Sequence, residues 1–103
     1  MDKLIKHIKN ILDRPGMYRV NKVEDLYFIL LGYEFKMYES KKKSTERDKY
    51  QIFKANFRKF VNKKCSSKED HETVNLIRLY SGGNDKHSLE LFKQWFLEYL
   101  QQK

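Results

Sequence analysis

Apolar residues recur every three or four positions along most of the chain, which is the spacing of amphipathic α-helices. In the first segment the apolar positions alternate with lysines and would form one buried stripe: Leu4, Ile5, Ile8, Ile11 and Leu12. Asp2 is a candidate cap for this helix. Pro15 is expected to end it, because proline disfavours helical geometry at the preceding residue and donates no backbone hydrogen bond.

The second segment, residues 23–38, is apolar on nearly all sides and predicts a central helix. Asn21, followed three residues later by Glu24, is typical of a capping box at its start. A strand is the competing prediction for residues 26–35, which are rich in aromatic side chains. We favour the helix, because no neighbouring segment shows the period-two alternation of a hairpin partner.

Gly32 stands out within this bulky segment, since glycine weakens a helix and needs a compensating reason. We expect a neighbouring element to approach closely there. The fifth helix, with Trp95 and Phe96, is the simplest candidate.

A third helix is predicted to begin at Ser44 or Thr45 and to run to about Lys64. Its apolar stripe would be Tyr50, Phe53, Phe57, Phe60 and Val61. A shorter fourth helix follows, with Ser66 and Glu69 as a second capping box and Gly82 and Gly83 at its end. Its stripe would be Val74, Ile77 and Tyr80.

The last helix is predicted to start near Asn84 or Asp85, and it has the cleanest apolar pattern in the chain. Its stripe comprises Leu89, Phe92, Trp95, Phe96, Tyr99 and Leu100. The pattern as a whole predicts an all-α fold, with residues 1–103 forming one bundle of about five helices. Four glycines and one proline support this, because a β-sandwich or barrel needs more turn residues.

The basic residues are concentrated in the middle of the chain. The net charge is +8, and residues 36–68 carry 12 basic and 3 acidic residues, or +9, so the two flanks together carry −1. The middle segment therefore raises the possibility of a nucleic-acid-binding module at residues 41–64, with the rings of Tyr50 and Phe57 nearby. A solvated helix face explains the same charge run, because on a helical wheel the cations fall on both sides of the aromatic stripe.

The sequence shows no constellation typical of an enzyme. His7, His71 and His87 lie in different predicted elements, and no histidine or cysteine lies three or four residues from any of them, so we expect no metal site. Cys65 is the single cysteine and is interpreted as a buried filler in a reducing cytoplasm. No nucleophile elbow or glycine-rich phosphate loop occurs. We therefore predict no catalytic residues, no cofactor and no enzymatic activity.

No apolar run approaches the roughly 18–20 residues that cross a bilayer. The first 14 residues carry charges through their apolar positions and lack the uninterrupted core of a signal peptide. The expectation is a cytoplasmic protein without a membrane partner.

The order of features resembles small bacterial immunity proteins encoded beside polymorphic toxins, including contact-dependent growth inhibition systems. The resemblance spans most of the chain and rests on four segments. They are Arg-Pro-Gly-Met-Tyr at 14–18, the Leu-x-x-x-Leu-x-Gly-Tyr helix at 26–33, Phe-x-x-Phe-Val at 57–61 and the aromatic helix at 91–99.

This resemblance implies a helical protein that binds and neutralises a cognate toxin, with a nuclease among the candidate toxins. Because inhibitors of basic nucleases are commonly acidic, a +8 chain would have to present its acidic flanks or face another kind of toxin. The residues predicted to contact a basic toxin are Glu34, Tyr38, Glu39, Asp85, Glu90 and Glu98. For an acidic toxin they are Lys42, Arg47 and Arg58.

Overall fold

The computed structural model describes residues 2–39 and 45–102. Within these ranges the chain forms α-helices and one short 3-10 helix, with no strand, which confirms the all-α prediction. The helices are α1 (Asp2–Asp13), α2 (Val23–Glu39), α3 (Thr45–Lys64), α4 (Thr73–Tyr80) and α5 (Asp85–Gln101). The segment 26–35, for which a strand competed, lies entirely within α2.

The first helix and the turn after it follow the sequence pattern. Four residues of the α1 stripe are buried, and Ile5 packs against the same core. α1 ends at Asp13, and Pro15 begins a 3-10 helix, Pro15–Tyr18. The Val20 amide donates to the Pro15 carbonyl at 2.9 Å, which closes this turn and directs the chain into α2.

The start of α2 is capped from a distant part of the chain, so the predicted capping box of Asn21 and Glu24 is wrong. The Val23 amide donates to the hydroxyl of Ser88 on α5 at 3.0 Å. The Asn21 amide donates to the carboxylate of Asp25 at 2.9 Å. Glu24 faces α4 instead, where it pairs with Arg78.

The prediction of close packing at Gly32 is also wrong. Gly32 is exposed, and a Cβ built on it would meet no atom within 4 Å. Trp95 and Phe96 are buried elsewhere in the core and do not approach it. Nothing in the described part of the chain therefore requires glycine at this position.

Replacing Gly32 by alanine is accordingly expected to stabilise the isolated chain. Glycine in a helix interior costs about 0.5–1 kcal/mol relative to alanine, and the added methyl group would enter open space. Urea denaturation followed by circular dichroism should show a gain of this size. A loss of stability would mean that the surroundings of Gly32 are tighter than the structure shows.

The core is built around the aromatic stripes of α3 and α5. The ring of Phe57 lies 5.5 Å from Phe92, 6.1 Å from Phe96 and 5.4 Å from Tyr99, all with edge-to-face geometry. Phe53 stacks on Phe57 at 5.7 Å. These interlocked rings fix α3 against α5, as their clean apolar periodicity predicts.

The segment between α3 and α4 differs from its predicted form. Ser66 and Glu69 form no capping box: Ser66 has a left-handed backbone, and α4 begins only at Thr73. The buried side chain of Asn62 holds this segment through three hydrogen bonds of 2.8–2.9 Å, one to the Arg58 carbonyl and two to the backbone of His71.

The buried face of α4 is also rotated from the predicted one. It buries Leu76, Ile77 and Thr73, whereas Tyr80 is exposed. α4 ends before Gly82 and Gly83, as predicted, and both glycines have positive φ. Their amides donate to the carbonyls of the last helical turn, a common way to end a helix.

Candidate partner-binding groove

The outer face of α2 exposes three large apolar side chains. Phe28 is 70% exposed, Leu31 46% and Phe35 62%, and their spacing of three and four residues places them in one line. We call them the α2 stripe. The sequence pattern of α2 by itself did not indicate the α2 stripe, because a helix that is apolar on nearly all sides predicts a central position and shows no polar face. Neighbouring exposed apolar side chains of this kind are typical of interaction surfaces.

A groove runs beside the α2 stripe between α2, α3 and the start of α4. Its volume is about 670 Å³, within the range of roughly 300–1,000 Å³ common for binding pockets. Phe28 and Leu31 form part of its α2 wall, and Lys54, Ala55 and Arg58 lie on its α3 wall. Side chains that belong to the core or pack against it also line the groove, among them Tyr27, Leu30, Phe53, Phe57 and Phe92.

Glu34 lies on the α2 rim of the groove, where its carboxylate is already engaged by α3. Gln51 donates to it at 3.0 Å, and the Lys54 ammonium lies 3.5 Å from its other oxygen. The sequence prediction of Glu34 as a partner contact therefore falls on a groove residue. These contacts join α2 to α3 along the rim.

Arg58, another predicted contact, lies on the opposite wall and binds two carboxylates. Its Nε donates to Asp70 at 3.0 Å, and its Nη1 donates to Glu72 at 2.8 Å. Asn62 positions both acids, because it clamps the backbone of His71 between them. Two carboxylates on one guanidinium leave one negative charge in excess within this cluster.

A second guanidinium joins three helices near the same end of the groove. Arg78 on α4 donates to both oxygens of Glu24, with Nε at 2.9 Å, and also to Asp85 at 3.1 Å and the Gly83 carbonyl at 3.0 Å. Hydrogen bonding from Arg78 lowers the pKa of the Glu24 carboxyl. Glu24, Asp70 and Glu72 all line the groove, and we call these three residues the acidic end.

The Glu24–Arg78 pair predicts a specific pH dependence of stability. Because the pKa of Glu24 is lower in the folded chain, its stabilising effect is present above the unfolded value near 4.5 and is lost as pH falls through the folded value. Glu24→Gln should therefore be less stable than the wild type at about pH 7, with the difference shrinking at about pH 3. Urea denaturation at both pH values measures this, and an unchanged difference would contradict it.

The remaining predicted contact residues do not line the groove, or their side chains are outside the part of the chain that the structure describes. Asp85 binds Arg78 at the start of α5, Glu90 lies 4.0 Å from His87, and Glu98 pairs with Lys64 on the α5 side. Lys42 lies outside the described residues, and the side chains of three further predicted contacts are likewise not described: Tyr38, Glu39 and Arg47.

Folding brings acidic residues onto the basic middle segment. Lys54, Arg58 and Lys64 each form an ion pair with a carboxylate from another part of the chain. The hydrogen bond from Lys64 also lowers the pKa of Glu98. The charge run in the sequence therefore overstates the positive charge that α3 presents to a partner.

The other candidate chemistry gives no second site. Cys65 is buried, and burial raises the pKa of its thiol, which disfavours the reactive thiolate. Among residues 2–39 and 45–102, no cluster of histidine, cysteine, aspartate or glutamate is arranged to hold a metal ion. None of the helices in these ranges has the length and apolar character needed to cross a membrane.

The groove thus combines an apolar lining, an exposed apolar stripe and an acidic end, which is an arrangement suited to holding a protein segment. Comparison with protein-family models, curated proteins and solved structures finds no match to this chain.

Proposed function

We propose that this chain is an immunity protein that binds a cognate toxin in the cytoplasm through the groove and the α2 stripe. The observation that carries the proposal is the exposure of Phe28, Leu31 and Phe35 in one line beside an open groove. The choice of a toxin as the proposed partner rests on the resemblance in feature order to immunity proteins of polymorphic toxin systems.

The composition of the groove favours a protein partner. Interface energy is concentrated in a few large apolar and arginine side chains surrounded by polar residues that exclude water. Phe28 and Leu31 supply the apolar centre, and the ion pairs of Glu34 and Arg58 lie at the rim. These pairs are already formed in the free chain, so the rim is organised before a partner arrives.

The direct test uses the gene immediately upstream. We expect it to encode a large secreted protein with a variable C-terminal toxin domain. Co-expression of that domain with this chain should restore growth of cells that the domain alone inhibits. The two purified proteins should form a stable complex by size-exclusion chromatography.

A pair of variants ties the complex to the groove. Phe28→Asp should weaken toxin binding at least about 30-fold, the effect of losing an interface hot spot. Leu79→Asp is the matched control, since Leu79 on α4 is also 70% exposed but does not line the groove, and it should bind like the wild type. Equal losses in both variants, or no loss in either, would contradict a toxin site at the groove.

The alternative function is a nucleic-acid-binding module at residues 41–64. Binding driven by phosphate contacts weakens steeply with salt, so we expect RNA and DNA binding to disappear at about 150 mM salt. Binding that persists there, and is lost when Lys42, Lys43, Arg58 and Lys63 are neutralised together, would replace the immunity proposal. The immunity proposal would also be refuted if the upstream domain is not toxic, or if the domain and this chain do not bind each other.

A further inference from the structure

Gly32 lies within the α2 stripe and leaves a hole in it. Phe28, Leu31, Gly32 and Phe35 occupy positions i, i+3, i+4 and i+7, and all four are exposed. Four residues with this spacing surround the hole that receives one side chain of a facing helix in knobs-into-holes packing. Glycine has no Cβ, and the space that a Cβ would occupy at Gly32 is open. The hole is therefore deeper with glycine at this position than with any other residue.

The glycine has no role within the described part of the chain. It has a negative φ, lies mid-helix and meets no neighbour, so the isolated fold would be more stable with alanine there. The two bulky residues beside it, Phe28 and Leu31, also form the groove wall. Gly32 itself does not line the groove, so its open space lies beside the groove, on the exposed side of α2.

The charge around this surface indicates the sign of the partner. Two of the acidic residues of α2, Glu24 and Glu34, are already paired with Arg78 and Lys54, so their charge is compensated within the chain. At the acidic end, Asp70 and Glu72 share the single guanidinium of Arg58, and both are exposed. A basic side chain placed there would compensate the excess negative charge.

A second copy of the chain fits this surface poorly. Two chains of charge +8 repel one another at longer range. Charge complementarity therefore favours a different protein.

We infer that one amphipathic helix of the partner packs along the α2 stripe beside the groove, with a large apolar side chain over Gly32 and an arginine or lysine against Asp70 and Glu72. This inference rests on the function proposed above and specifies the part of the toxin that is recognised. The apolar edge of that helix packs along the α2 stripe, and the basic residue of the helix lies at the acidic end of the groove.

The test uses a synthetic peptide of about five helical turns, with leucines along one edge and arginines flanking them. Its binding to the full chain is measured by fluorescence anisotropy at about 150 mM salt. Gly32→Leu fills the hole and should raise Kd about tenfold, the effect of losing about 1.4 kcal/mol. Gly16→Leu is the matched control, because Gly16 is also exposed with open space at its Cβ but belongs to the 3-10 helix Pro15–Tyr18 and not to the α2 stripe.

A second pair of variants separates local contact from overall charge. Asp70→Asn with Glu72→Gln removes two carboxylates from the acidic end and should raise Kd about tenfold. Glu90→Gln with Glu98→Gln changes the net charge equally and also frees a cation, Lys64, but lies on α5 away from the groove. This control should change Kd less than about twofold.

Each outcome decides one question. The inference is overturned if the wild-type chain does not bind the peptide at about 1 mM, or if either the Gly32→Leu variant or the double variant at Asp70 and Glu72 behaves like its control. It is also overturned if sedimentation shows a dimer that Phe28→Asp dissociates, since a second copy would then occupy the stripe. Toxin binding without these peptide effects leaves the proposed function standing, whereas peptide binding without toxin binding refutes only the toxin as partner.

Discussion

Phe57→Ala is expected to destabilise the fold by about 3–5 kcal/mol, which is the usual cost of removing a buried phenylalanine from a packed core. Phe57 is 3% exposed and lies at the centre of the rings that join α3 to α5. Alanine would remove its edge-to-face contacts with Phe92, Phe96 and Tyr99 and leave a cavity between the two helices. Against a typical total of roughly 5–15 kcal/mol, this loss would unfold a substantial fraction of the molecules at elevated temperature.

The measurement is urea denaturation followed by circular dichroism, with Ile52→Ala as control. Ile52 lies on the same helix but is 61% exposed, so its truncation should change stability by no more than about 0.5 kcal/mol. A loss below about 1 kcal/mol for Phe57→Ala would show that α3 does not pack on α5 as described.

Ser88→Ala should have the second-largest effect, a loss of about 1–3 kcal/mol from one hydroxyl group. Ser88 is fully buried; its Oγ accepts the Val23 amide at 3.0 Å and donates to the Asp85 carbonyl at 2.6 Å. Alanine would leave the first amide of α2 buried without a partner, and the desolvation cost of that amide would not be recovered.

Ser81→Ala provides a closely matched control. Ser81 is also buried, and its hydroxyl donates to the carbonyl three residues earlier, that of Arg78, at 3.0 Å. No hydrogen bond from a distant helix is described for its hydroxyl, so its loss should be clearly smaller than that of Ser88→Ala. Similar losses in the two variants would indicate that the cross-helix bond to Val23 contributes little.

Local sequence patterns predicted the helices well where a single face is apolar. The stripes of α1, α3 and α5 are buried or packed against the core, and Asn84 caps α5 by accepting the His87 amide at 2.9 Å. Pro15 ends α1 as expected. These features depend on residues within about one helical turn of each other, which periodicity and capping chemistry describe directly.

The candidate site was predicted only in part for the same reason. Glu34 and Arg58 were selected as charged residues and do line the groove. Their partners Lys54, Asp70 and Glu72 lie 12 to 20 residues away in sequence, and no local pattern connects them. The sequence did contain a signal for the α2 stripe. In a bundle of about five helices, too few neighbours are present to cover every side of a helix that is apolar all round, so part of α2 has to be exposed.

By itself, the sequence determined the fold class, the order of the helices and the buried stripes of those with one apolar face, because helical periodicity is a property of residues three and four positions apart. Tertiary structure alone decided that α2 exposes Phe28, Leu31 and Phe35, and that Gly32 meets open space. It also decided that Ser88 caps α2 from a distance of 65 residues. The physical reason is that exposure and capping depend on where the other helices pack, and this packing is set by the whole core.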